Sequence, residues 1–564
     1  MNGDYLWNGT SLVRSAVQPA SAADMATIKP KVVRADRLAI PEKLSAEYIT
    51  GWFDEKGRPI LGIRRRDGRL LAELQDLPGR KVLSAIWRYV ETDSQLTPLR
   101  GLRWDGTTYD RAGPVYDEPA FIRNGRPFAL IGGSPHQLAD SGNAIAISRG
   151  SDQVTMTVER DGDISKEEIS LPPYGSVAAF VDTLELMIGY GQSLGGGSSA
   201  VPVLTRTPPL ANRLFMPSFG TRLANYDSTV TEVTPLLPLT ATTAEVPVAQ
   251  LAAQMARDES IPVGCALIAC SLARGGASIE MLRKGGGVWY DNIMNTLALC
   301  RSYAAGIEKS FRFRMLTFTH GESDIAAVAG YYSAQLLALQ GDELTPDAQA
   351  ITGQGGQVVF LVDQVSSWTA PSYNRSQSNV PLEQLQVALE NPDRFVCSGP
   401  KYWLHYQPDG VHLINSSSAR LGCLQGAVAS AVMRGEHWLP THCYSAVRAG
   451  AVVDLHFHTP SGGLVVDTDS VADPGAWGIR WSDADASAEV QSVRILGGNV
   501  VRVTLNQIPT GSNGFIGIAD IGVPGQSAGP FSGPRSCLRN NDPIIDFNGE
   551  PIYHWACHQR INVS

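Results

Sequence analysis

The chain has 564 residues, of which 43% are hydrophobic and 18% charged, and its formal net charge is -9. This composition is typical of a globular protein with several domains. Because no basic block stands out, we expect no binding to nucleic acid. Because no apolar segment approaches the ~20 residues of a membrane helix, we expect no association with a membrane.

The N-terminal sequence and the cysteines exclude two further classes of protein. The first residues lack the charged and then apolar layout of a signal peptide, so we do not expect secretion by the general pathway. The eight cysteines are scattered and form no CxxC pair, so neither a zinc ribbon nor a redox motif is indicated. We expect these cysteines to be small, buried hydrophobic residues.

Residues 1–180 are predicted to form β-rich modules. Asn-Gly and Asp-Gly pairs between short apolar runs are strong local signals for hairpins. Four such pairs occur, at Asp67-Gly68, Asp105-Gly106, Asn124-Gly125 and Asp161-Gly162. Two short segments are also repeated, 7–10 as 104–107 and 57–63 as 125–131. We therefore expect a series of hairpins here, without a catalytic domain.

From residue 181 to about 440, apolar runs alternate with longer helical patterns. The runs predict strands at Leu184–Tyr190, Cys265–Cys270, Arg314–Thr319 and Val358–Val362. The longer patterns predict helices at Val246–Arg257, Trp289–Lys309 and Ser417–Met433. This alternation implies β-α-β units and a central parallel sheet, in which ligands bind beyond the carboxyl ends of the strands.

Polar motifs that contain glycine follow the first three of these strands. They are Gly191-Gln-Ser193, Ser271–Gly276 and His320-Gly-Glu-Ser-Asp324. The first motif is the most suggestive, because a strand that ends in glycines around one serine raises the hydroxyl to the edge of the sheet. Such a loop also leaves backbone N–H groups free beside the serine, which is the geometry that a serine nucleophile needs. Taken alone, it is equally the pattern of an ordinary turn.

A serine nucleophile needs a base, and the base needs an orienting carboxylate. Of the ten histidines, His412 alone lies in a compact unit with an acid after the last predicted strand, as Asp409-Gly-Val-His412. A tight turn would bring the carboxylate onto the ring nitrogen. The following residues, 415–418, are of types that favour helix N-caps, so we expect a helix to begin here. Without context, an Asp-x-x-His unit is more often a surface turn.

The last part of the chain returns to a β pattern. Residues 446–523 contain alternating segments, Val452–His458, Val490–Leu496 and Val500–Leu505, which predict a small β-sandwich. Residues 524–564 are polar and rich in proline and glycine, and we expect this tail to lie along another domain.

Gly191-Gln-Ser193, Gly275-Gly276, Gly321-Glu-Ser-Asp324 and Asp409-x-x-His412 occur in an order that resembles the SGNH (GDSL-type) hydrolases. The likeness covers residues 181–440 and is to the sialate O-acetylesterase and acetylxylan-esterase branch. It implies a three-layer α/β/α domain with a central parallel sheet, between the β-rich N-terminal modules and the C-terminal β-sandwich. It also implies an esterase that needs no metal or cofactor and removes acetyl groups from a glycan, such as a bacterial surface polysaccharide.

By this resemblance, each motif residue has an implied role. Ser193 is the nucleophile, His412 the general base and Asp409 the acid that orients it. The oxyanion hole combines the N–H of Ser193, a glycine N–H from Gly276 or Gly275, and a side-chain donor. The family uses Gln or Asn for that donor, whereas this chain has His320 in the position. The supporting loop residues are Gln192, Gly275, Glu322 and Asp324.

Alternatives exist for several of these features. Glu322 and Asp324 could form the carboxylate pair of a glycosidase, although we favour a structural role in their loop. His456 and His458 could chelate a metal, although no third ligand is near, and we favour an exposed strand face. For the whole protein, the alternative is a carbohydrate-binding tail or adhesion protein in which the hydrolase domain is only a scaffold.

The N-terminal repeats resemble hairpin units at the front of phage tail-fibre and tailspike proteins. This resemblance implies attachment or carbohydrate contact for residues 1–180, and a homotrimer or a component of a phage tail. It also implies a location on the virion or outside the cell.

Overall fold

The computed structural model describes residues 181–206, 212–262 and 264–564, the single residues 177 and 210, and the backbone of strands nearer the N-terminus. The chain divides into two compact units. One comprises residues 1–182 with 209–213, and the other comprises 183–208 with 214–564. The bounds of the four segments expected from the sequence, 1–180, 181–440, 446–523 and 524–564, stay predictions.

The first unit consists of antiparallel strands. The strands are Tyr5–Trp7, Leu12–Arg14, Tyr48–Phe53, Pro59–Arg64, Leu70–Glu73, Ser84–Thr92, Pro98–Arg103, Thr108–Asp110, Ala120–Arg123, Arg126–Ile131, Ser134–Gln137, Ala144–Arg149, Gln153–Arg160 and Asp163–Ser170. An antiparallel pair flanks each of the four predicted Asn-Gly and Asp-Gly turns, so the hairpin predictions are confirmed. The side chains of the two repeats lie outside the described residues.

A seven-stranded sheet forms the centre of the second unit. Its strands are β1 (Thr183–Gly191), β2 (Leu214–Met216), β3 (Leu237–Pro238), β4 (Cys265–Ser271), β5 (Ser310–Thr319), β6 (Val359–Gln364) and β7 (Phe395–Pro400). Their order is β3-β2-β4-β1-β5-β6-β7. All neighbours are parallel except β3, which pairs antiparallel with β2. The sheet is therefore mixed, whereas the sequence predicted a parallel one.

The central strand β1 is buried along its whole length, as expected for a strand covered on both faces. The four predicted strands are confirmed as β1, β4, β5 and β6. The carboxyl ends of β1 and β5 approach closely, because β1 ends in Gly191. At Gly191, φ is +115°, and a Cβ atom there would lie 2.2 Å from the carbonyl oxygen of Thr319. Only glycine fits this position, which directs the chain into the loop of Ser193.

Six α-helices are present in the described part of the second unit. They are α1 (Pro247–Arg257), α2 (Val288–Gly306), α3 (Tyr331–Ala338), α4 (Thr345–Thr352), α5 (Val380–Glu390) and α6 (Asn415–Met433), with a π-helical segment, Leu339–Leu344, between α3 and α4. Helix α1 packs against α6 and the strands β1 and β4, and α2 packs against α4 and β5. The three predicted helices are confirmed as α1, α2 and α6.

The start of α6 differs in detail from the expectation. The helix begins at Asn415, but no side chain caps its N-terminus. Instead, the Asn415 amide donates to the carbonyl of Pro202 at 2.8 Å, and the Ser417 hydroxyl accepts the N–H of His405 at 2.9 Å. These polar side chains join the start of the helix to neighbouring loops.

The C-terminal part contains four antiparallel sheets, and its two larger sheets share one apolar core. Its strands are β8 (His442–Ala449), β9 (Val452–His458), β10 (Leu464–Val466), β11 (Ile479–Ser482), β12 (Val490–Gly497), β13 (Val500–Leu505), β14 (Phe515–Ile518), β15 (Leu538–Asn540), β16 (Ile544–Ile545), β17 (Pro551–Ile552) and β18 (Gln559–Asn562). The sheets β8-β9-β13-β12 and β11-β14-β18 share this core. The tail thus supplies strand β18 to the second sheet.

None of the helices in the described residues is long and apolar enough to cross a membrane.

Candidate active site

Ser193 lies in the loop that follows β1 at the carboxyl end of the sheet. It is 9% exposed. The loop is fixed by its neighbours, because the Ser271 hydroxyl donates to the carbonyl of Gly195 at 2.9 Å and the Arg222 guanidinium donates to that of Gly196 at 2.7 Å. The N–H of Arg274 also bonds to the carbonyl of Gly191 at 2.9 Å. Hydrogen bonds from the second motif, Ser271–Gly276, therefore hold the loop of the first motif, which contains Ser193.

Free N–H groups surround Ser193. In the described part of the chain, the N–H groups of Ser193, Gly275 and Gly276 have no protein acceptor. Of the two glycines, Gly275 lies against the serine, since a Cβ atom on Gly275 would be 3.7 Å from that of Ser193. N–H groups without acceptors beside a serine suit the stabilisation of a developing oxyanion.

Asp409 and His412 form a hydrogen-bonded pair on one turn. His412 Nδ1 lies 2.7 Å from Asp409 Oδ2, and Asp409 Oδ1 accepts the backbone N–H groups of Val411 and His412, each at 2.9 Å. Burial raises the pKa of Asp409, but these hydrogen bonds outweigh it and hold that pKa below its usual value. The carboxylate therefore stays ionised and accepts the proton on Nδ1, which leaves Nε2 of His412 able to accept another.

The turn that carries His412 contacts the loop that carries Ser193. The Gln407 amide donates to the carbonyl of Ser199 at 2.9 Å, and Asn415 reaches Pro202 as described. The structure thus brings the predicted nucleophile loop and the predicted base to the same edge of the sheet. Among the described residues, no hydrogen bond joins Ser193 to the ring of His412; in unliganded enzymes such bonds often form only with substrate.

Gly410 sets the shape of this turn. Its φ is +72°, and a Cβ atom there would lie 2.7 Å from the Ser527 hydroxyl oxygen and 2.9 Å from Ser527 Cα. The C-terminal segment therefore supports the turn from outside.

We expect Gly410→Ala to lower kcat/KM for the ester hydrolysis that the sequence predicts by 10- to 100-fold, because the added methyl group would displace the turn and small misplacements of catalytic groups are costly. The measurement is steady-state ester hydrolysis. Gly450→Ala is the matched control, since Gly450 has φ of +64° but a Cβ atom there would meet nothing within 4 Å. Equal losses in both variants would contradict a specific role for the Gly410 turn.

His320 does not have the predicted oxyanion role in this structure. Its ring is fully buried, with Nε2 3.0 Å from the carbonyl oxygen of Ala277 and Nδ1 3.0 Å from the hydroxyl of Tyr332. A carbonyl only accepts, so Nε2 carries the proton and Nδ1 accepts from Tyr332. Burial lowers the pKa of His320 to about 3, so the ring is neutral. His320 therefore connects the second and third motif loops, and neither nitrogen is free for substrate.

Two of the supporting residues connect the third motif loop to the first and to the segment after the second. The Gln192 side chain accepts the N–H of Ser323 at 3.1 Å, and Asp324 accepts the N–H of Ile279 at 2.8 Å. Burial raises the pKa of Asp324. These contacts agree with a structural role for Asp324.

Glu322 takes part in a buried charge cluster that sequence reasoning missed. Lys401 Nζ lies 3.3 Å from Glu322 Oε1 and is bonded to Asp363 Oδ1, and all three side chains are inaccessible to solvent. Burial lowers the pKa of Lys401, but the charges of Asp363 and Glu322 outweigh it and raise that pKa. Asp363 comes directly after the predicted strand Val358–Val362, at its carboxyl end. This position in the sequence could have indicated that Asp363 lies near the site.

Within the described residues, no group of three or more His, Cys, Asp or Glu side chains is arranged to hold a metal ion. His456 lies on the strand β9 and its ring is 6.1 Å from that of Tyr444, while the ring of His458 is 5.6 Å from that of His442.

No known family model matches the chain, and no curated protein matches it. Among solved structures, a carbohydrate acetylesterase from Xanthomonas citri is similar, with 14% identity over 76% of this chain and 88% of that one, and a TM-score of 0.43. A protein from Arabidopsis thaliana has 13% identity over 45% of this chain and 99% of its own, with a TM-score of 0.31. NanS has 12% identity over 45% of this chain and 98% of its own, with a TM-score of 0.29.

Proposed function

We propose that this protein is a serine esterase that removes O-acetyl groups from a carbohydrate and that it belongs to the SGNH hydrolases, with a three-layer α/β/α core. The observation that carries the proposal is the Asp409–His412 pair at 2.7 Å, on a turn in contact with the loop of Ser193. A histidine oriented by a carboxylate, on a turn that contacts the loop of a candidate serine nucleophile, is an arrangement suited to acyl transfer.

In the proposed reaction, His412 Nε2 takes the proton of the Ser193 hydroxyl as its oxygen attacks the acetyl carbonyl. The carbonyl oxygen becomes an oxyanion, which the N–H groups of Ser193 and Gly275 or Gly276 stabilise. The tetrahedral intermediate then expels the sugar alcohol, which receives the proton from His412. Water, activated by the same histidine, attacks the acetyl-serine and releases acetate. Asp409 keeps the imidazole in the required tautomer and stabilises its charged form.

The experiment that tests this function is an acetate-release assay on a panel of O-acetylated glycans and on p-nitrophenyl acetate. A serine-directed organophosphate should also stop turnover and add one adduct, which peptide mass spectrometry should map to Ser193. Protein that binds acetylated glycans but releases no acetate from any substrate would favour the alternative, a carbohydrate-binding tail or adhesion protein.

We further propose a bacterial surface polysaccharide as the substrate and a homotrimer on a phage tail, or another location outside the cell, as the setting. Both rest on the sequence resemblances described above. The mass of the protein in solution, measured by light scattering, tests the trimer.

A further inference from the structure

An exposed aromatic side chain lies beside the turn of His412, and the proposed reaction does not use it. Phe531 is in the segment that follows β14, and 64% of it is exposed to solvent. Its neighbours Pro530, Gly533 and Pro534 are buried. The segment therefore buries most of a tight turn but leaves the only aromatic ring of that turn in contact with water.

The turn that carries Phe531 is held in one conformation. The Ser532 hydroxyl donates to the carbonyl of Ser527 at 2.6 Å. The carbonyl of Pro530 accepts the N–H of Ala472 at 2.9 Å, and the proline ring restricts φ at the start of the turn. An aromatic ring on such a turn loses little conformational freedom when a ligand binds to it, which favours binding.

The Phe531 ring lies next to His405, which is part of the hairpin that carries His412. The centroids of the Phe531 and His405 rings are 6.1 Å apart, and His405 is exposed. In this hairpin, Tyr406 pairs with Leu413. Because side chains alternate between the two faces of a β-pair, positions 405 and 412 share the face opposite to that pair. Phe531 therefore adjoins the face of the hairpin on which His412 lies.

The proposed chemistry places the sugar on this same side of Ser193. His412 gives its proton to the sugar oxygen when the tetrahedral intermediate collapses, so the acetylated sugar unit lies against His412. A neighbouring unit of an oligosaccharide that extends over the same face of the hairpin reaches Phe531. Sugar rings carry C–H groups that pack on flat aromatic rings, and this contact removes apolar surface from water.

We propose that Phe531 binds a second sugar unit of the substrate, so that the enzyme acts on oligosaccharides and polysaccharides in preference to single acetylated sugars. The inference rests on the proposed function and goes further by naming the length of the substrate and a residue that selects for it. His405 flanks the Phe531 ring and extends the surface on which the second unit packs. This contact requires no charge on the sugar.

The test compares fragments of one glycan that differ only in length. The acetylated glycan that releases acetate fastest in the panel is partly depolymerised, and fragments of one unit and of four units are separated. The quantity measured is the ratio of kcat/KM, per acetyl group, for the long fragment to that for the single unit. We expect this ratio to be about ten in the unmodified protein, and to be insensitive to ionic strength because the contact is apolar.

Substitutions at Phe531 should change this ratio according to the shape of the side chain. Phe531→Ala should lower it about five- to tenfold through a higher KM for the long fragment, because a contact remote from the reacting atoms stabilises the ground state and the transition state equally. Phe531→Trp should keep the ratio, and Phe531→Leu should give an intermediate value, because leucine is apolar but has no flat face.

Ile508→Ala is the matched control. It removes an apolar side chain that is 61% exposed. Ile508 lies in the loop before β14, whereas Phe531 lies in the segment after that strand. This variant should leave the ratio unchanged.

The outcomes separate this inference from the function on which it rests. If single units and long fragments are deacetylated equally well, or Phe531→Ala leaves the ratio unchanged, the second-unit proposal is wrong and the esterase stands. If Phe531→Ala and Phe531→Trp lower kcat equally for both fragments, Phe531 has only a structural role and the proposal is again overturned. If simple esters are hydrolysed but no glycan is, the proposal falls with the carbohydrate part of the proposed function. If no acetyl ester is hydrolysed, the whole proposed function fails.

Discussion

Ser193→Ala is expected to lower kcat/KM for acetate release by about 10⁴-fold or more. In the proposed reaction, the Ser193 hydroxyl oxygen is the atom that attacks the acetyl carbon, and alanine has no oxygen that could form the acyl intermediate. Residual activity would come from substrate binding and from the N–H groups beside position 193. These N–H groups would stabilise the oxyanion that forms when water attacks the ester directly. The measurement is acetate release from p-nitrophenyl acetate and from an acetylated glycan, with protein concentrations high enough to detect the residual rate.

Ser198→Ala is the matched control for this experiment. Ser198 lies in the same loop and its backbone N–H bonds to the carbonyl of Ser193 at 2.9 Å, while its hydroxyl makes no hydrogen bond to any residue that the structure describes. Alanine keeps that bond, so activity should stay within about threefold of the unmodified protein. A Ser193→Ala protein that retained more than a few per cent of the activity on both substrates would show that another residue is the nucleophile.

Contacts at the candidate site were predictable where they are local in the sequence, as between Asp409 and His412. Asp409 and His412 are three positions apart, so their hydrogen bond follows from one turn. Ser193 and His412 are 412 − 193 = 219 residues apart. Their placement at the same edge of the sheet could be predicted only from the order of the motifs. Each motif follows a parallel strand, and the carboxyl ends of parallel strands lie at one edge of a sheet.

The fold was predictable where strands are apolar on both faces or alternate regularly, and where helical patterns are long. The start of β4 and the ends of α1 and α6 were predicted to the residue, and β9 and β13 were predicted with their full bounds. The strands β2 and β3 were missed, because two or three residues carry too little periodicity to be recognised. The tail was missed for a different reason: β18 gains its strand pairing from β14, which is far away in sequence.

His320 shows why the role of a buried polar residue does not follow from its position in a motif. The sequence places an imidazole where the family has an amide donor, and a neutral imidazole could donate in the same way. Its actual partners, the Ala277 carbonyl and the Tyr332 hydroxyl, come from a loop 43 residues upstream and from the helix α3, 12 residues downstream. Both nitrogens are therefore occupied by contacts that only the folded chain creates.

Lys401→Met is expected to lower the free energy of unfolding by about 3–5 kcal/mol. Without the ammonium group, the carboxylates of Asp363 and Glu322 would remain buried with no positive charge between them, and an uncompensated buried charge is strongly destabilising. Urea unfolding, followed by the fluorescence of the buried Trp368 and Trp403, measures the effect. Lys284→Met is the control, because the Lys284 side chain is 56% exposed and its loss leaves Asp347 partly open to water and bonded to the Tyr290 hydroxyl, so it should cost less than about 1 kcal/mol.

A double variant separates charge from packing in this cluster. The loss of stability in Lys401→Met should come from the carboxylates left without a positive charge. Asp363→Asn should then lower the free energy of unfolding much less in the Lys401→Met protein than in the unmodified protein, because it removes a charge that has no partner. A Lys401→Met protein as stable as the control would refute the charge argument. The cluster also bears on the candidate site, since Glu322 precedes Ser323, whose N–H bonds to the side chain of Gln192 beside Ser193. Loss of ester hydrolysis should therefore begin at a lower urea concentration in Lys401→Met than in Lys284→Met.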